Sequence, residues 1–307
     1  MRRTALLTLA LSATLGLAAC GGGSDPLDSE GDAPAGTGSG SGEAGSITVG
    51  SANFPENELL AEIYAAALED AGVEVSTQLN IGSREAYIAG IQDGSVDVLP
   101  EYTGGLATYL NPEITATSSE DVLADLEENL PEDLEVLEIS DAENKDSLVV
   151  TGETAEELGL TSIADLEPHA GEMTLGGPPE FESRPNGVDG LAEVYGLEFA
   201  SFRSLSAGAN LTVQSLANGQ VDVANIFTTD PAVEENGFVV LEDPESLFAA
   251  QNIVPLLRGD AVDPTVEEAL NGVSAELTTE NLTAMMVQVL TDGEDPSAVA
   301  QEFVDGL

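Results

Sequence analysis

The chain has 307 residues, with 57 acidic against seven basic side chains and a formal net charge of −50, so it is long enough for one large or two smaller domains. It is also far too acidic to grip nucleic acid, whose phosphates need a basic surface. Hydrophobic residues at 42% argue against disorder, and a lone cysteine, Cys20, excludes disulfides and cysteine-ligated zinc from the body that follows.

The first segment, MRRTALLTLALSATLGLAAC, has two arginines, an apolar run from Ala5 to Leu17 and small residues leading into Cys20. This is the layout of a secretory leader, and the apolar run is short for a membrane span. Its LAAC ending resembles a bacterial lipobox, which implies a signal peptide at 1–19 and a lipid on Cys20. That lipid would anchor the protein to the outer face of the cell membrane. Residues 20–45, rich in Gly, Ser and acids, read as a flexible tether with a root-mean-square span of roughly 25–30 Å.

Without Arg2 and Arg3, five basic residues face 57 acidic ones, a net charge of −52. Most of these acids read as a solvated surface suited to high salt, where self-repulsion is screened. The melting temperature is therefore expected to rise steeply as the Debye length shrinks from about 30 Å at 0.01 M salt to about 3 Å at 1 M. A flat melting profile would contradict this reading.

In the body, SITVGSANF reads as a strand entering a loop. PENELLAEIYAAALEDAG reads as a helix opened by Pro55 and closed by Gly72, with Leu59, Ile63, Ala66 and Ala67 on its apolar face. VEVSTQLNI returns as a strand. AYIAGIQDGSVDVLPEYTGG then supplies a helix face through Ile88 and Ile91, a terminating Gly94, a strand at Val96–Val98 and a loop carrying Tyr102 and Thr103. A second series runs through DSLVVTG, MTLGG, GVDGLAEVYGL and FASFRSL. It ends in LTVQSLANGQVDVANIFTTD, which repeats the earlier unit at an offset of 125 residues, with Gly219, a strand at Val221–Val223 and a loop carrying Phe227 and Thr228. The tail after about Thr265 is helical by pattern.

These elements predict an α/β chain in two lobes, 46–146 plus 252–307 and 147–251. The two crossings, near Asp146 and Gln251, make a hinge. Ligands of open α/β sheets bind beyond the carboxyl ends of the strands, so the two repeat loops are expected to face one ligand across a cleft. No metal, cofactor or catalysis is expected. The single histidine, His169, lies in a loop, the body has no cysteine, there is no GxSxG sequence, and the acid runs lack calcium-loop spacing.

The blocks VGSANFPENELLAEIYAAALEDAG, DVLPEYTGG, LGGPPEFESRPNGVDGLAEVYGLEF, VDVANIFTTDPA and NIVPLLRGD, in this order, resemble the glycine betaine/choline (osmoprotectant) substrate-binding proteins of ABC transporters. The resemblance implies a type II periplasmic-binding fold, a small zwitterionic or cationic solute, a membrane permease as partner and a monomeric receptor. Transport and sensing both stay open. It further implies a tyrosine cage for a quaternary ammonium and an arginine for a carboxylate, the latter at Arg184. The cage is depleted: Phe227, Gln251 and Asp146 stand where the family carries tyrosines. Tyr102 is either a remaining cage ring or a packing residue. Asn53, Thr103 and Thr228 complete the expected ligand set.

Overall fold

A computed structural model describes residues 46–207 and 210–307. Strands β1 (Ile47–Gly50), β2 (Val75–Gln78), β3 (Val98–Tyr102), β4 (Leu134–Val136) and β10 (Ile253–Arg258) form one sheet, ordered β2-β1-β3-β10-β4. Strands β5 (Asp146–Thr151), β6 (Thr174–Gly177), β7 (Ser201–Ser204), β8 (Val223–Phe227) and β9 (Phe238–Val240) form the other, ordered β7-β6-β8-β5-β9. The two sheets share one plan. β1 runs parallel to β2 and β3 as β6 does to β7 and β8, and the antiparallel strand of each sheet, β10 or β5, is the one that has just crossed from the other.

The repeat is structural as well as sequential. Asp97 and Asp222, the aspartates of the two Val-Asp-Val triplets, accept hydrogen bonds from the backbone N–H of Thr48 at 2.8 Å and of Thr174 at 2.7 Å. Gly94 and Gly219 follow their helices at φ of +79° and +64°, in the left-handed region that favours glycine. The strands themselves lie further along than expected. They start at the second valine of each triplet and run through the aromatic residue, so Tyr102 and Phe227 end strands, and Thr103 opens the helix Thr103–Leu110. β3 is buried at every position, which erases the alternation that marks a strand's limits.

The helix Pro55–Asp70 forms as expected and buries Leu59, Leu60, Ile63 and Leu68. Its wide apolar surface is covered by the sheet and by the tail, whose helices Pro264–Glu276 and Pro296–Val304 return to the first lobe and share its core. The second lobe has its own core around Leu148, Leu175, Phe181 and Val223. The two crossings lie side by side: Asn144 donates to the Gln251 carbonyl at 3.2 Å and Ile253 to that of Ala142 at 3.1 Å. No helix among the described residues is long and apolar enough to cross a membrane.

Candidate solute-binding cleft

β1, β3, β6 and β8 all end at a cleft between the lobes that holds about 620 Å³ of space, including its open mouth. Three aromatic rings converge there. Phe54, just after β1, lies 5.2 Å from Phe227 of the second lobe and 6.0 Å from Tyr102 of the first, centroid to centroid, at interplanar angles of 43° and 31°. The two repeat units thus both bring their terminal aromatics to the Phe54 ring.

The charged groups of the cleft are arranged unequally. Arg84 holds Glu101 in a two-pronged pair, Nε to Oε1 at 2.9 Å and Nη2 to Oε2 at 2.8 Å. The fully buried Glu101 also accepts from the Tyr87 hydroxyl and the Tyr102 N–H. Arg184, from the loop after β6, reaches across the mouth to Glu85 of the other lobe at 3.2 Å. Burial tends to raise the Glu85 carboxyl, but hydrogen bonds from Ser83 and Arg184, with the Arg184 charge, outweigh it and hold the group at about 2.

Asp146 lines the cleft with no basic partner at salt-bridge distance among the described residues. Asn225 Nδ2 donates to one of its oxygens at 3.0 Å and Asn186 Nδ2 to the other at 3.5 Å. Desolvation pushes its carboxyl above the ordinary value, opposed in part by the Asn225 bond and the charges of Arg184 and Arg84.

Behind the rings lies a buried hub. Glu56, at the start of the helix Pro55–Asp70, accepts from Tyr102 at 2.9 Å, from Asn144 of the first crossing at 2.6 Å and from Thr229 of the second lobe. Gln251, on the second crossing, accepts from the Gly105 N–H at 2.8 Å. The paired glycines of PEYTGG permit this close approach: a Cβ on Gly104 would sit 2.4 Å from the Ala250 carbonyl oxygen, and one on Gly105 2.7 Å from the Arg84 guanidinium.

Residues 45–306 match the family described as "Substrate binding domain of ABC-type glycine betaine transport system". The chain belongs to this family. A glycine-betaine-binding protein of Pseudomonas aeruginosa is 26% identical over 276 residues, covering 85% of this chain and 88% of the relative. The glycine betaine-binding protein YehZ of Escherichia coli is 28% identical over 278 residues, covering 85% and 90%. Among solved structures, a glycine betaine/carnitine/choline ABC transporter protein matches with a TM-score of 0.67 at 19% identity, covering 85% of this chain and 98% of its own. A choline-binding protein in complex with choline matches with a TM-score of 0.61 at 17% identity, covering 86% and 89%. The two-lobe periplasmic-binding fold is thus shared with these structures. Membership makes the chain the substrate-binding component of an ABC transport system.

The structure brings Asn53, Tyr102, Asp146, Arg184, Phe227 and Gln251 to the cleft wall. Tyr102 is packed into the first lobe's core and also lines the cleft, and its hydroxyl donates to Glu56. Thr103 and Thr228 lie outside the lining. Thr103 Oγ1 accepts from the Asn252 N–H at 3.1 Å and Thr228 Oγ1 from the Lys145 N–H at 3.0 Å, so both hydroxyls bind the crossings. Sequence reasoning missed Phe54, Arg84, Asn144 and Asn186. Phe54 read as the residue before a helix-opening proline, and Asn186 carried a signal only in its closeness to Arg184. Cys20 and the tether lie outside the described residues.

Proposed function

We propose that this chain is the extracytoplasmic, lipid-anchored receptor of an ABC importer for a small compatible solute with a cationic group, zwitterionic or cationic, which it hands to a membrane permease. The observation that carries this reading is the meeting of Phe54, Tyr102 and Phe227, drawn from both lobes, beside the unpaired carboxylate of Asp146. Aromatic faces attract cations by about 0.5–2 kcal/mol each, and a carboxylate adds direct charge attraction. The names of the relatives, which specify glycine betaine and carnitine, agree with that solute class. The two lobes, expected at 46–146 with 252–307 and at 147–251, turn about the paired crossings, although Asp146 itself opens β5 and so belongs to the second lobe's sheet. A solute touching both favours the closed form, because it makes more contacts there. Arg184 serves the acidic end of a zwitterion, whose carboxylate takes the place of Glu85.

A thermal-shift screen over glycine betaine, choline, carnitine, ectoine, proline and polyamines tests the reading, since a ligand of the native state alone raises the melting temperature. No shift with any of them would refute it. For a carboxylate-bearing hit, Arg184→Ala is expected to cost about 1.5–3 kcal/mol of affinity by isothermal titration, the range for a hydrogen bond to a charged group. Unchanged affinity would remove Arg184 from the site. Cys20→Ser is expected to release the protein from the membrane fraction, and retention there would show that the anchor lies elsewhere.

A further inference from the structure

Both arginines that line the cleft are already committed to carboxylates, Arg84 to Glu101 and Arg184 to Glu85. Two acids of the lining, Asp146 and Glu180, have no basic partner at salt-bridge distance among the described residues. Asp146 is the better placed. It stands at the start of β5, opposite Phe227 in the strand register and therefore at the aromatic cluster. An ionised carboxylate offers about four acceptor positions. Two neutral amides, Asn225 at 3.0 Å and Asn186 at the long distance of 3.5 Å, leave part of that capacity open in a pocket that closure would dry further.

Building on the proposed function, we propose that Asp146 makes this cleft selective for a solute whose cationic group carries N–H donors over the same solute with a fully methylated, quaternary nitrogen. The donor class is a primary to tertiary ammonium, an amidinium or a guanidinium. Such a group reaches a carboxylate oxygen at about 2.7–2.9 Å in a charge-assisted hydrogen bond, roughly twice as strong as a neutral one. A trimethylammonium has no donor to give, and its methyl shell holds the charged nitrogen farther from the oxygen, where the attraction is weaker. The rings of Phe54 and Phe227 attract both kinds of cation, so they do not discriminate. The carboxylate decides. Desolvation raises the proton affinity of Asp146, and the Asn225 bond and the more distant charges of Arg184 and Arg84 offset this only in part, which agrees with a carboxylate that has no cation in direct contact among the described residues.

The test is isothermal titration of the full-length chain with two methylation series. One runs from choline through dimethyl- and monomethylethanolamine to ethanolamine, and the other from glycine betaine through dimethylglycine and sarcosine to glycine. In at least one series, a member bearing N–H should bind about tenfold or more tighter than the quaternary member, the worth of one charge-assisted hydrogen bond. Asp146→Asn, which keeps the side chain's shape, should bring that ratio to within about threefold. The order within the parent protein needs no variant, so a misfolded substitution would not blunt the test. Quaternary members binding as tightly or more tightly would overturn the inference and leave the proposed function standing. A ratio that survives Asp146→Asn would also overturn it, by moving the discrimination to another group. Silence of both series sinks the inference too, and the proposed function falls with it only if the wider solute screen is silent as well.

Discussion

Arg84→Ala is expected to destabilise the protein by about 3–5 kcal/mol, the range for removing one partner of a buried ion pair. The reason lies in Glu101, which is fully buried and keeps only the Tyr87 hydroxyl and the Tyr102 N–H once the guanidinium is gone. At about 2–4 °C per kcal/mol for domains of 150–250 residues, the melting temperature should fall by roughly 6–20 °C. Because the cost comes from the stranded carboxylate, Arg84→Met with Glu101→Leu should be less damaging than the sum of the two single changes. A double-mutant cycle by urea denaturation reads that coupling. Additive effects would mean that the pair contributes no coupling. The variant should also bind solute less well, since Arg84 forms part of the cleft wall.

The second large effect is expected at Glu56. Glu56→Ala leaves Tyr102, Asn144 and Thr229 without their acceptor. At about 1–3 kcal/mol for each buried donor left unsatisfied, the loss should be about 3 kcal/mol or more. These donors come from the first lobe, the first crossing and the second lobe, so the change should loosen the hinge and lower solute affinity as well. Glu56→Gln separates shape from charge. Desolvation raises the Glu56 carboxyl above its ordinary value of 4.5, against the hydrogen bonds from Thr229, Asn144 and Tyr102 and with added repulsion from Asp230. A carboxylate raised in the fold costs stability when ionised, above its folded value, and that cost disappears as pH falls through it. The parent should therefore gain stability relative to Glu56→Gln as pH is lowered from neutrality toward 4.5, measured as the difference between their unfolding free energies. A constant difference across that window would show that Glu56 titrates in the same way folded and unfolded.

Much of the architecture was legible because it rests on local rules. Pro55 before an apolar run, Gly94 and Gly219 after helices, and a Val-Asp-Val triplet repeated at an offset of 125 residues lead to helices, turns and a duplicated unit without any tertiary knowledge. The limits of β3 were harder to read. The strand is buried on both faces, contains Pro100 and Glu101, and sets Pro100 opposite Pro255, so neither alternation nor propensity marks where it runs. At the site, Arg184, Asp146, Phe227 and Gln251 came from motif blocks. Glu56 looked like an ordinary acid in a first helical turn, and nothing local tied Arg84 to Glu101, 17 residues away.

The sequence by itself determined the family, the two-lobe α/β plan and the acid excess, because these depend on composition, short-range periodicity and motif order. The tertiary structure decided which charges are free. It spent Arg84 on Glu101 and Arg184 on Glu85, left Asp146 with two amides, and brought Phe54 against both Tyr102 and Phe227. The physical reason is that pairing and desolvation depend on distances set by how strand ends and crossings meet in space. A carboxylate is a solvated surface group or the demanding wall of a binding site according to what packs around it.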